Sequence, residues 1–493
     1  IYKGSCPRRM WVRVVLAALA AAGCHGGHID VVKMATDFSM TNKGRKVPIL
    51  SVPAETVVAY SLDGGGGLET TALSTIASLS SVVHNAPNVS SLRFVYLMIV
   101  PEEVQEKLAA AICATITSAV GARLKSGGGA LPMCASRAFD KTALNSTSCA
   151  VADAELPARV TFIFFPSLEQ LFPDRIANLL ELLCCSQRRY QTDRQELARS
   201  LGNHARFFAH LALLHLGTRR VLFLDADTLT RTDVTKLYEA PLTARGFVGA
   251  ARRCASKRAA YKPRFKFDDA VVQEFGLKSE AFHINAGVLL VDLEQYCLAS
   301  VVEALERILE RHVAGPQLWH QGNNQPPFTI AVAAHLTFLH PSWNVRPGDA
   351  DAESRIVARH KEGSMAEDLC AQMVAAPPLI IHTHFPPCGA MPPWICSREP
   401  MAKFHTAMSS AIQHEIKLHK EHPLACKCAG VKRLTTFRGG GRGRGRRGRG
   451  SKSQGTVDAA GEPSPTDTAQ EPAAADASKA EGEPAGSPGV GRQ

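Results

Sequence analysis

The stretch Arg219–Tyr238 reads RRVLFLDADTLTRTDVTKLY. Four apolar residues, Val221 to Leu224, lead directly into Asp225-Ala226-Asp227. A continuous apolar run is typical of a strand that is buried on both faces, as in a parallel α/β sheet. Open α/β sheets bind ligands at the carboxyl ends of their strands. The sequence therefore predicts a ligand site at the two aspartates.

The spacing of Asp225 and Asp227 indicates which ligand binds. Residues two apart on an extended strand point to the same face, so a bend at the strand end lets both carboxylates reach one cation. Oxygen ligands suit Mn²⁺ or Mg²⁺, with phosphate oxygens completing the shell. A solvated acidic turn is the competing interpretation of a bare Asp-x-Asp. The apolar strand before the pair and the helix-like segment after it favour the metal site.

Composition is that of a large globular domain with unusual ends. The 493 residues are 45% apolar, which is enough for a sizeable core. The formal net charge is +11, and six arginines between Phe437 and Gly450 contribute more than half of it. The basic character is therefore partly a property of the tail. The remaining excess suits an anionic substrate but discriminates little between function classes.

The fourteen cysteines include no Cys-x-x-Cys pair, which argues against a zinc ribbon or a thioredoxin-like site. In an oxidising compartment some of them would form disulfides, and free thiols are the alternative. The candidate pairs are Cys388 with Cys396 and Cys134 with Cys149.

The N-terminus resembles a secretory leader. Residues 1–24 place Lys3, Arg8 and Arg9 before the run WVRVVLAALAAAGC, which predicts a signal peptide or a short membrane anchor. The clean apolar run from Val14 to Gly23 is shorter than the roughly 20 residues that a spanning helix needs. We expect the secretory pathway, either the Golgi lumen or secretion. Two N-glycosylation triplets fit this: Asn88-Val89-Ser90 and Asn145-Ser146-Thr147.

Domain boundaries follow from composition. Residues 25–55 are a polar linker, 56–434 form the folded domain, and 121–157 are an aperiodic surface insertion within it. Residues 435–493 begin with Arg-Gly repeats and continue as an acidic, Pro- and Ala-rich tail that cannot bury a core, so we expect disorder. Arg-Gly repeats also occur in RNA-binding segments. A solvated low-complexity tail is the interpretation we favour, and nucleic acid is not an expected partner.

Apolar runs alternate with helical patterns through the domain. This alternation predicts a doubly wound, mostly parallel α/β sheet. The predicted strands are Thr56–Leu62, Leu92–Val100, Val160–Phe165, the central run, Phe247–Ala251 and the strand that follows a turn within Phe282–Leu293; the predicted helices are Thr70–His84, Glu102–Val120, Leu197–Leu216 and Cys297–Arg311.

Seven short segments occur in one order along the chain. They are the strand that ends in Asp63, Arg206-Phe207-Phe208, Asp225-Ala226-Asp227, Asn285-Ala286-Gly287-Val288-Leu289-Leu290, Asn324-Gln325-Pro326-Pro327-Phe328, Trp343-Asn344-Val345, and Ile380-Ile381-His382 followed by Pro393-Trp394. Over about residues 56 to 400 this order resembles glycosyltransferase family eight. The Pro-Pro-Phe segment leans toward the galacturonosyltransferase-like branch.

The resemblance implies a GT-A type nucleotide-sugar fold and a metal-dependent transferase. It implies a UDP-sugar donor, Mn²⁺ or Mg²⁺, retention of anomeric configuration, and a glycan or protein acceptor. It also implies the site: Asp225, Asp227 and His382 for the metal, Tyr60 and Asp63 for the uridine, Arg206, Asn285, Gly287 and Gly389 for the rest of the donor, and Asn324 and Gln325 at the reacting sugar.

The chemistry of these residue types agrees with that implication. A divalent cation stabilises charge on the leaving phosphate, and a histidine nitrogen beside two carboxylates suits Mn²⁺ better than Mg²⁺. A retaining glycosidase would show a pair of carboxylates with one as nucleophile, and none is evident. The amide of Gln325 on the reacting face instead favours a same-face displacement that the leaving diphosphate assists.

Three features depart from the family pattern. Asn324 stands where the family has Asp, and Pro392 stands where it has a Lys that grips the diphosphate. The loop between His382 and Trp394 is longer than usual, which leaves His384 as an alternative ligand and the correspondence of Gly389 open. A nearby cation, Arg346 or Arg398, is a candidate replacement for the lysine.

The departures keep two rival hypotheses open. The first is a catalytically silent family member that binds sugars or associates with RNA. The second is an inverting transferase of another Asp-x-Asp family. Membrane association, where it occurs, is expected through the N-terminus alone.

Overall fold

The computed structural model describes residues 55–63, 68–100, 102–126, 133–138, 148–165, 181–182, 185–186, 202–243, 245–252, 265–278, 284–319, 324–345 and 378–382. The predicted leader, almost all of the predicted linker, the Arg-Gly tail, Gly389 and the Cys388/Cys396 pair lie outside these residues.

A single sheet organises the described part of the domain, with strand β5 near its middle. All neighbouring strands are parallel except β8, which runs antiparallel to both β5 and β7. This confirms the predicted mostly parallel sheet. The strand order is β3 (Cys134–Ala138), β4 (Val160–Phe165), β2 (Leu92–Ile99), β1 (Thr56–Asp63), β5 (Arg220–Leu224), β8 (Ile284–Asp292), β7 (Val248–Arg252) and β9 (Leu336–Leu339).

Helices cover both faces of the sheet, as the doubly wound prediction requires. Strand β1 shows this because its residues alternate between two cores: Val57 and Ala59 pack on one face, Val58 and Tyr60 on the other. The helices are α1 (Leu68–Asn85), α2 (Glu102–Lys125), α3 (Gly202–Leu214), α4 (Thr235–Tyr238), α5 (Ala270–Glu274), α6 (Leu293–Leu298), α7 (Val301–Ala314) and α8 (Gln325–Ala331).

Strand β5 is buried at every position, which explains why its sequence is an unbroken apolar run. Its two partners, β1 and β8, are themselves almost wholly buried, so β5 exposes neither a face nor an edge. Its carboxyl end is the point at which the chain first becomes accessible. The fold thus delivers Asp225 and Asp227 to the ligand-binding edge of the sheet.

The region 121–157, predicted as a surface insertion, contributes to the sheet. Helix α2 continues to Lys125, and β3 then pairs with β4 as an edge strand. The predicted Cys134–Cys149 disulfide is wrong. Strand β3 runs back beside α2 and brings the Cα of Cys134 to 6.3 Å from that of Cys113, with which it is disulfide-bonded; Cys149 pairs with Cys297.

The predicted helix Cys297–Arg311 is two helices. Ser300, with a φ of 52°, separates α6 from α7. The sequence pattern missed this break because the apolar spacing continues through it.

By length and apolar composition, α2 is long enough to cross a membrane. Its buried residues recur three to four positions apart and include Val104, Leu108, Ile112 and Ile116. These residues belong to the same core as β2 and β4. This packing is that of a core helix against a sheet.

A short ribbon lies beside the end of β5. Strand β6 (Thr228–Thr230) pairs antiparallel with β10 (Ile380–His382), and the register sets His382 opposite Thr228. The backbone of β10 also bonds to Val345, whose carbonyl accepts from the N–H of His382 at 2.8 Å. The ribbon therefore brings a histidine from far along the chain to within a few residues of Asp225 and Asp227.

Burial of His210 on α3 generates a prediction for stability against pH. The side chain is buried beside Tyr296, and desolvation lowers its pKa to about 4. Between about pH 6.5 and pH 4, His210 binds a proton in the unfolded chain but not in the folded chain. The free energy of unfolding should therefore decrease as the pH is lowered through this window, by up to about 3 kcal/mol from this one group.

The measurement is chemical unfolding at pH 7 and at pH 4.5 for the wild type and for His210→Gln. On acidification the free energy of unfolding should decrease less in the variant than in the wild type. The difference should correspond to the uptake of about one proton on unfolding. His215→Gln, which removes an exposed histidine just beyond the same helix, is the control. Equal acid sensitivity in wild type and His210→Gln would contradict the assignment of His210 as a buried neutral group.

Candidate metal centre

Three side chains meet where β5 ends. Nε2 of His382 lies 3.1 Å from Oδ1 of Asp227 and 3.6 Å from Oδ2 of Asp225. One ligand atom from each residue lies within 4.8 Å of the other two. We call Asp225, Asp227 and His382 the acidic triad. The structure thus brings together the three residues that were predicted as metal ligands.

Backbone hydrogen bonds hold Asp225 in place. Its N–H donates to the carbonyl of Gly287 at 2.8 Å, which extends the β5–β8 ladder by one bond. The chain then turns, and both the N–H and the hydroxyl of Thr228 donate to the carbonyl of Asp225, at 3.2 and 2.8 Å. This turn supplies the bend that lets both aspartates face one point.

Two asparagines surround the inner nitrogen of the His382 ring. Nδ1 lies 3.0 Å from Oδ1 of Asn344 and 3.2 Å from Nδ2 of Asn285. Asn344 also donates from Nδ2 to the carbonyl of Asn285 at 3.1 Å. The ring is only 4% exposed, so these contacts fix its plane and direct Nε2 at the aspartates.

Arg206 on α3 offsets part of the negative charge. One of its terminal nitrogens bonds Oδ1 of Asp225 at 2.7 Å, and the other donates to the carbonyl of Ala286. Nε of Arg206 is buried and has no hydrogen-bond partner among the described residues. A buried donor of this kind suits an incoming anionic oxygen.

The lack of a side chain at Gly287 leaves room for the side chains of the acidic triad. A Cβ at this position would lie 2.1 Å from Cε1 of His382 and 2.8 Å from Oδ2 of Asp225. Its N–H bonds Oδ1 of Asn285 at 3.0 Å, so the backbone cannot withdraw without breaking the asparagine network. Glycine is required here for close approach rather than for an unusual backbone angle.

The donor set fits a divalent cation. The two carboxylates of the triad carry more negative charge than the single Arg206 guanidinium balances. Oxygen with one nitrogen is a ligand set that Mn²⁺ and related ions accept. The acidic triad is therefore able to hold a metal.

Tyr60 lies in the core rather than at the surface of the site. Its ring is fully buried against Tyr96, and burial raises its pKa well above the usual value. Its hydroxyl donates to Ser78 at 3.1 Å, and Ser78 bonds Thr228 at 3.0 Å. Because Thr228 in turn donates to Asp225, a chain of hydrogen bonds links Tyr60, in the core, to the metal centre.

The remaining predicted residues lie at the edges of the described site. Asp63 is the last residue of β1, at the carboxyl edge of the sheet. Asn324 and Gln325 stand at the start of α8, where Nδ2 of Asn324 donates to the carbonyl of Asn203 at 2.8 Å. This bond joins α8 to α3 three residues before Arg206. Gly389 lies outside the described residues.

Sequence reasoning did not assign a role to Asn344, Ser78 or Thr228. Asn344 stood in a recognised segment, Trp343-Asn344-Val345, and its side chain proves to contact a triad ligand. Ser78 and Thr228 gave no signal, because serine and threonine on a helix and a short strand are ordinary.

A sequence model of glycosyl transferase family 8 matches residues 131–395. This span is more than half of the chain and contains the whole acidic triad. The chain therefore belongs to glycosyltransferase family 8. Together with the mostly parallel, doubly wound sheet, this confirms the predicted GT-A type fold and makes the chain a glycosyltransferase homologue.

Curated relatives are distant and match part of the chain. A probable galacturonosyltransferase-like 7 of Arabidopsis thaliana is 28% identical over 152 residues, which are 31% of this chain and 40% of the relative. Glycosyltransferase 8 domain-containing protein 1 of Xenopus laevis is 24% identical over 157 residues, 29% of this chain and 42% of the relative. The matched part spans less than half of either relative's length.

Among solved structures, the galactosyltransferase LgtC in complex with donor and acceptor sugar analogues aligns with a TM-score of 0.39 and 15% identity. The alignment covers 73% of this chain and all of that chain.

The space at Gly287 generates a prediction for metal binding. In Gly287→Ala the added Cβ displaces His382 or Asp225, so Mn²⁺ affinity should fall roughly 100-fold or more. The overpacking should cost about 1–3 kcal/mol of stability, which leaves the protein folded. Affinity is measured by titrating Mn²⁺ and following the free ion by electron paramagnetic resonance.

Gly121→Ala is the matched control, because Gly121 lies on α2 and its added Cβ meets only Thr117 and Met133 side-chain atoms. This control should bind Mn²⁺ as the wild type does. Wild-type affinity in Gly287→Ala would show that the acidic triad is not the binding site.

Proposed function

We propose that the protein is a metal-dependent, retaining glycosyltransferase that moves a hexosyl or related sugar from a UDP-sugar to a glycan or glycoprotein. The observation that carries the proposal is the acidic triad at the carboxyl edge of the sheet in a member of glycosyltransferase family 8. A nucleotide-sugar donor leaves a diphosphate, and this edge gathers the groups that such a leaving group needs.

Asp225, Asp227 and His382 would hold the metal, and Mn²⁺ is the ion that their mixed oxygen and nitrogen donors favour. When bound, a divalent cation stabilises the charge that builds on the leaving phosphate. Arg206 adds a fixed positive charge 2.7 Å from Asp225, with its unpartnered Nε as a further donor. These charges complement a diphosphate.

Asn285 and Gly287 would line the sugar pocket beside the triad, as would Gly389 beyond the described residues. Asn324 and Gln325 would contact the reacting sugar from the start of α8. The stacking of Phe207 on Phe328, with ring centroids 5.4 Å apart, fixes α8 against α3 and so fixes Gln325 relative to Arg206. A same-face displacement places no carboxylate nucleophile on the sugar, in keeping with an amide at position 325.

Asp63 at the carboxyl edge remains our candidate for the uridine. For Tyr60 we propose an indirect part, because its buried ring supports Thr228 and Asp225 through Ser78. A uridine contact by Tyr60 would require the ring to leave the core.

The donor-turnover test uses the full chain with Mn²⁺ and a panel that includes UDP-galactose, UDP-glucose and UDP-galacturonate. We expect slow hydrolysis of one donor, reduced roughly 100-fold or more in Asp225→Asn and Asp227→Asn, because each loses a ligand rather than an outer partner. Release of UDP is the measurement. Asp268→Asn, which changes an exposed carboxylate on a turn, should retain full activity.

Thermal shifts separate this proposal from a silent, sugar-binding role. Binding of a donor at 100 times its dissociation constant adds about 2.7 kcal/mol to stability. A Mn²⁺-dependent shift without turnover would favour the silent role. Absence of any shift with every donor would contradict the proposal, and an inverted product would favour a transferase of the other stereochemical class.

We further propose that the protein passes through the secretory pathway. The disulfides Cys113–Cys134 and Cys149–Cys297 are typical of an oxidising compartment. Asn88, in the triplet Asn88-Val89-Ser90, is exposed between α1 and β2. It lies where β2 begins, so a glycan there would not cover the carboxyl edge of the sheet.

Asn88 therefore offers a test of that route. Expressed in a secreting eukaryotic host, the protein should carry an N-glycan at Asn88, and peptide N-glycosidase should reduce its mass by one glycan more than in Asn88→Gln. Ser90→Thr should keep the glycan and Ser90→Ala should lose it. A secreted, folded protein with Asn88 unmodified would contradict the prediction. Asn145→Gln separates the second triplet.

A further inference from the structure

We infer that Asn344 is a positioning residue that orients the His382 ring and stabilises the tautomer in which Nε2 is available to a metal. The inference rests on the metal centre of the proposed function. It concerns a residue that contacts Nδ1 of His382 rather than Nε2, and it follows from the orientation of two amides around that ring nitrogen.

The orientation of the Asn344 amide is fixed by its neighbour. Its Nδ2 donates to the carbonyl of Asn285 at 3.1 Å, so its Oδ1 is the atom that faces Nδ1 of His382 at 3.0 Å. An amide oxygen is an acceptor only. Asn344 therefore favours the tautomer with the proton on Nδ1, which leaves a lone pair on Nε2.

The orientation of the Asn285 amide is fixed in the opposite sense. Its Oδ1 accepts from the N–H of Gly287 at 3.0 Å, so its Nδ2 faces the same ring nitrogen at 3.2 Å. An amide nitrogen donates, and it favours the tautomer that has a lone pair on Nδ1. In that tautomer Nε2 carries the proton and donates to Oδ1 of Asp227, 3.1 Å away.

The cation selects between the two tautomers. Without it, a lone pair on Nε2 would face a carboxylate at 3.1 Å, so the proton belongs on Nε2 and Asn285 serves the other nitrogen. With a cation, Nε2 would present its lone pair, and Oδ1 of Asn344 would accept a hydrogen bond from the proton on Nδ1. Nε2 would lose its proton to solvent.

Two further features support a dedicated role for Asn344. Asn344 is 7% exposed, and its amide oxygen and nitrogen bond His382 and Asn285. Its neighbour Val345 pairs with β10 on both sides, since Val345 donates to Ile380 and accepts from His382. Asn344 and His382 are thus carried on paired backbone segments, and their side chains cannot drift apart independently.

The test is long-range ¹H–¹⁵N spectroscopy of the full chain labelled at histidine nitrogen, without metal and with diamagnetic Mg²⁺. The His382 signal, identified by its loss in His382→Gln, should report the proton on Nε2 without metal and on Nδ1 with Mg²⁺. In Asn344→Leu the metal-free signal should be unchanged, while Mn²⁺ affinity, from electron paramagnetic resonance, should fall about 10- to 100-fold.

Asn344→Asp keeps an acceptor oxygen toward Nδ1 and should recover much of the affinity and the Nδ1-protonated signal. Gln105→Leu is the matched control. The buried amide of Gln105 donates to the carbonyls of Val100 and Phe165, outside the ribbon, so its loss should leave both readouts at wild-type values.

The outcomes separate the two claims. A wild type that binds no Mn²⁺ overturns the metal-dependent function itself. A wild type that binds Mn²⁺ while Asn344→Leu binds it equally well overturns only the role of Asn344. An unchanged tautomer on adding Mg²⁺ to a metal-binding wild type likewise overturns the role of Asn344 and leaves the metal centre intact.

Discussion

Repulsion between two carboxylates is the constraint on which the site depends. Asp225 and Asp227 emerge from a fully buried strand that can neither slide nor rotate, so their proximity is imposed by the fold. The guanidinium of Arg206 relieves one of them at 2.7 Å. The negative charge that remains is suited to a divalent cation, and the other residues of the site position the groups that would bind it.

Polar side chains on α1 help to position His382. The side chains of helix α1 that face β6 include hydroxyls and an amide. Ser81 bonds both the N–H and the hydroxyl of Thr230, at 3.0 and 3.2 Å, while Ser78 bonds Thr228. Since β6 holds β10 by its ladder, the helix indirectly positions His382. Buried hydroxyls of this kind stabilise only one register, because a slip would leave each without a partner.

The sequence predicted the parts of the site that depend on local pattern. The buried strand and its two aspartates were visible because an apolar run and a two-residue spacing are local features. His382 followed only from the family resemblance, since β10 is a strand of three residues. The disulfides were mispaired because connectivity depends on where β3 and α6 lie in space. The role of Asn344 was invisible, because its partners Asn285 and His382 are 59 and 38 residues away.

Charge at position 324 bears on the proposed choice of donor. A carboxylate at 324 would add to the negative charge near the triad, whereas Asn324 is neutral and uses its amide to tie α8 to Asn203. A donor whose sugar carries its own carboxylate would meet less repulsion at Asn324 than at an aspartate.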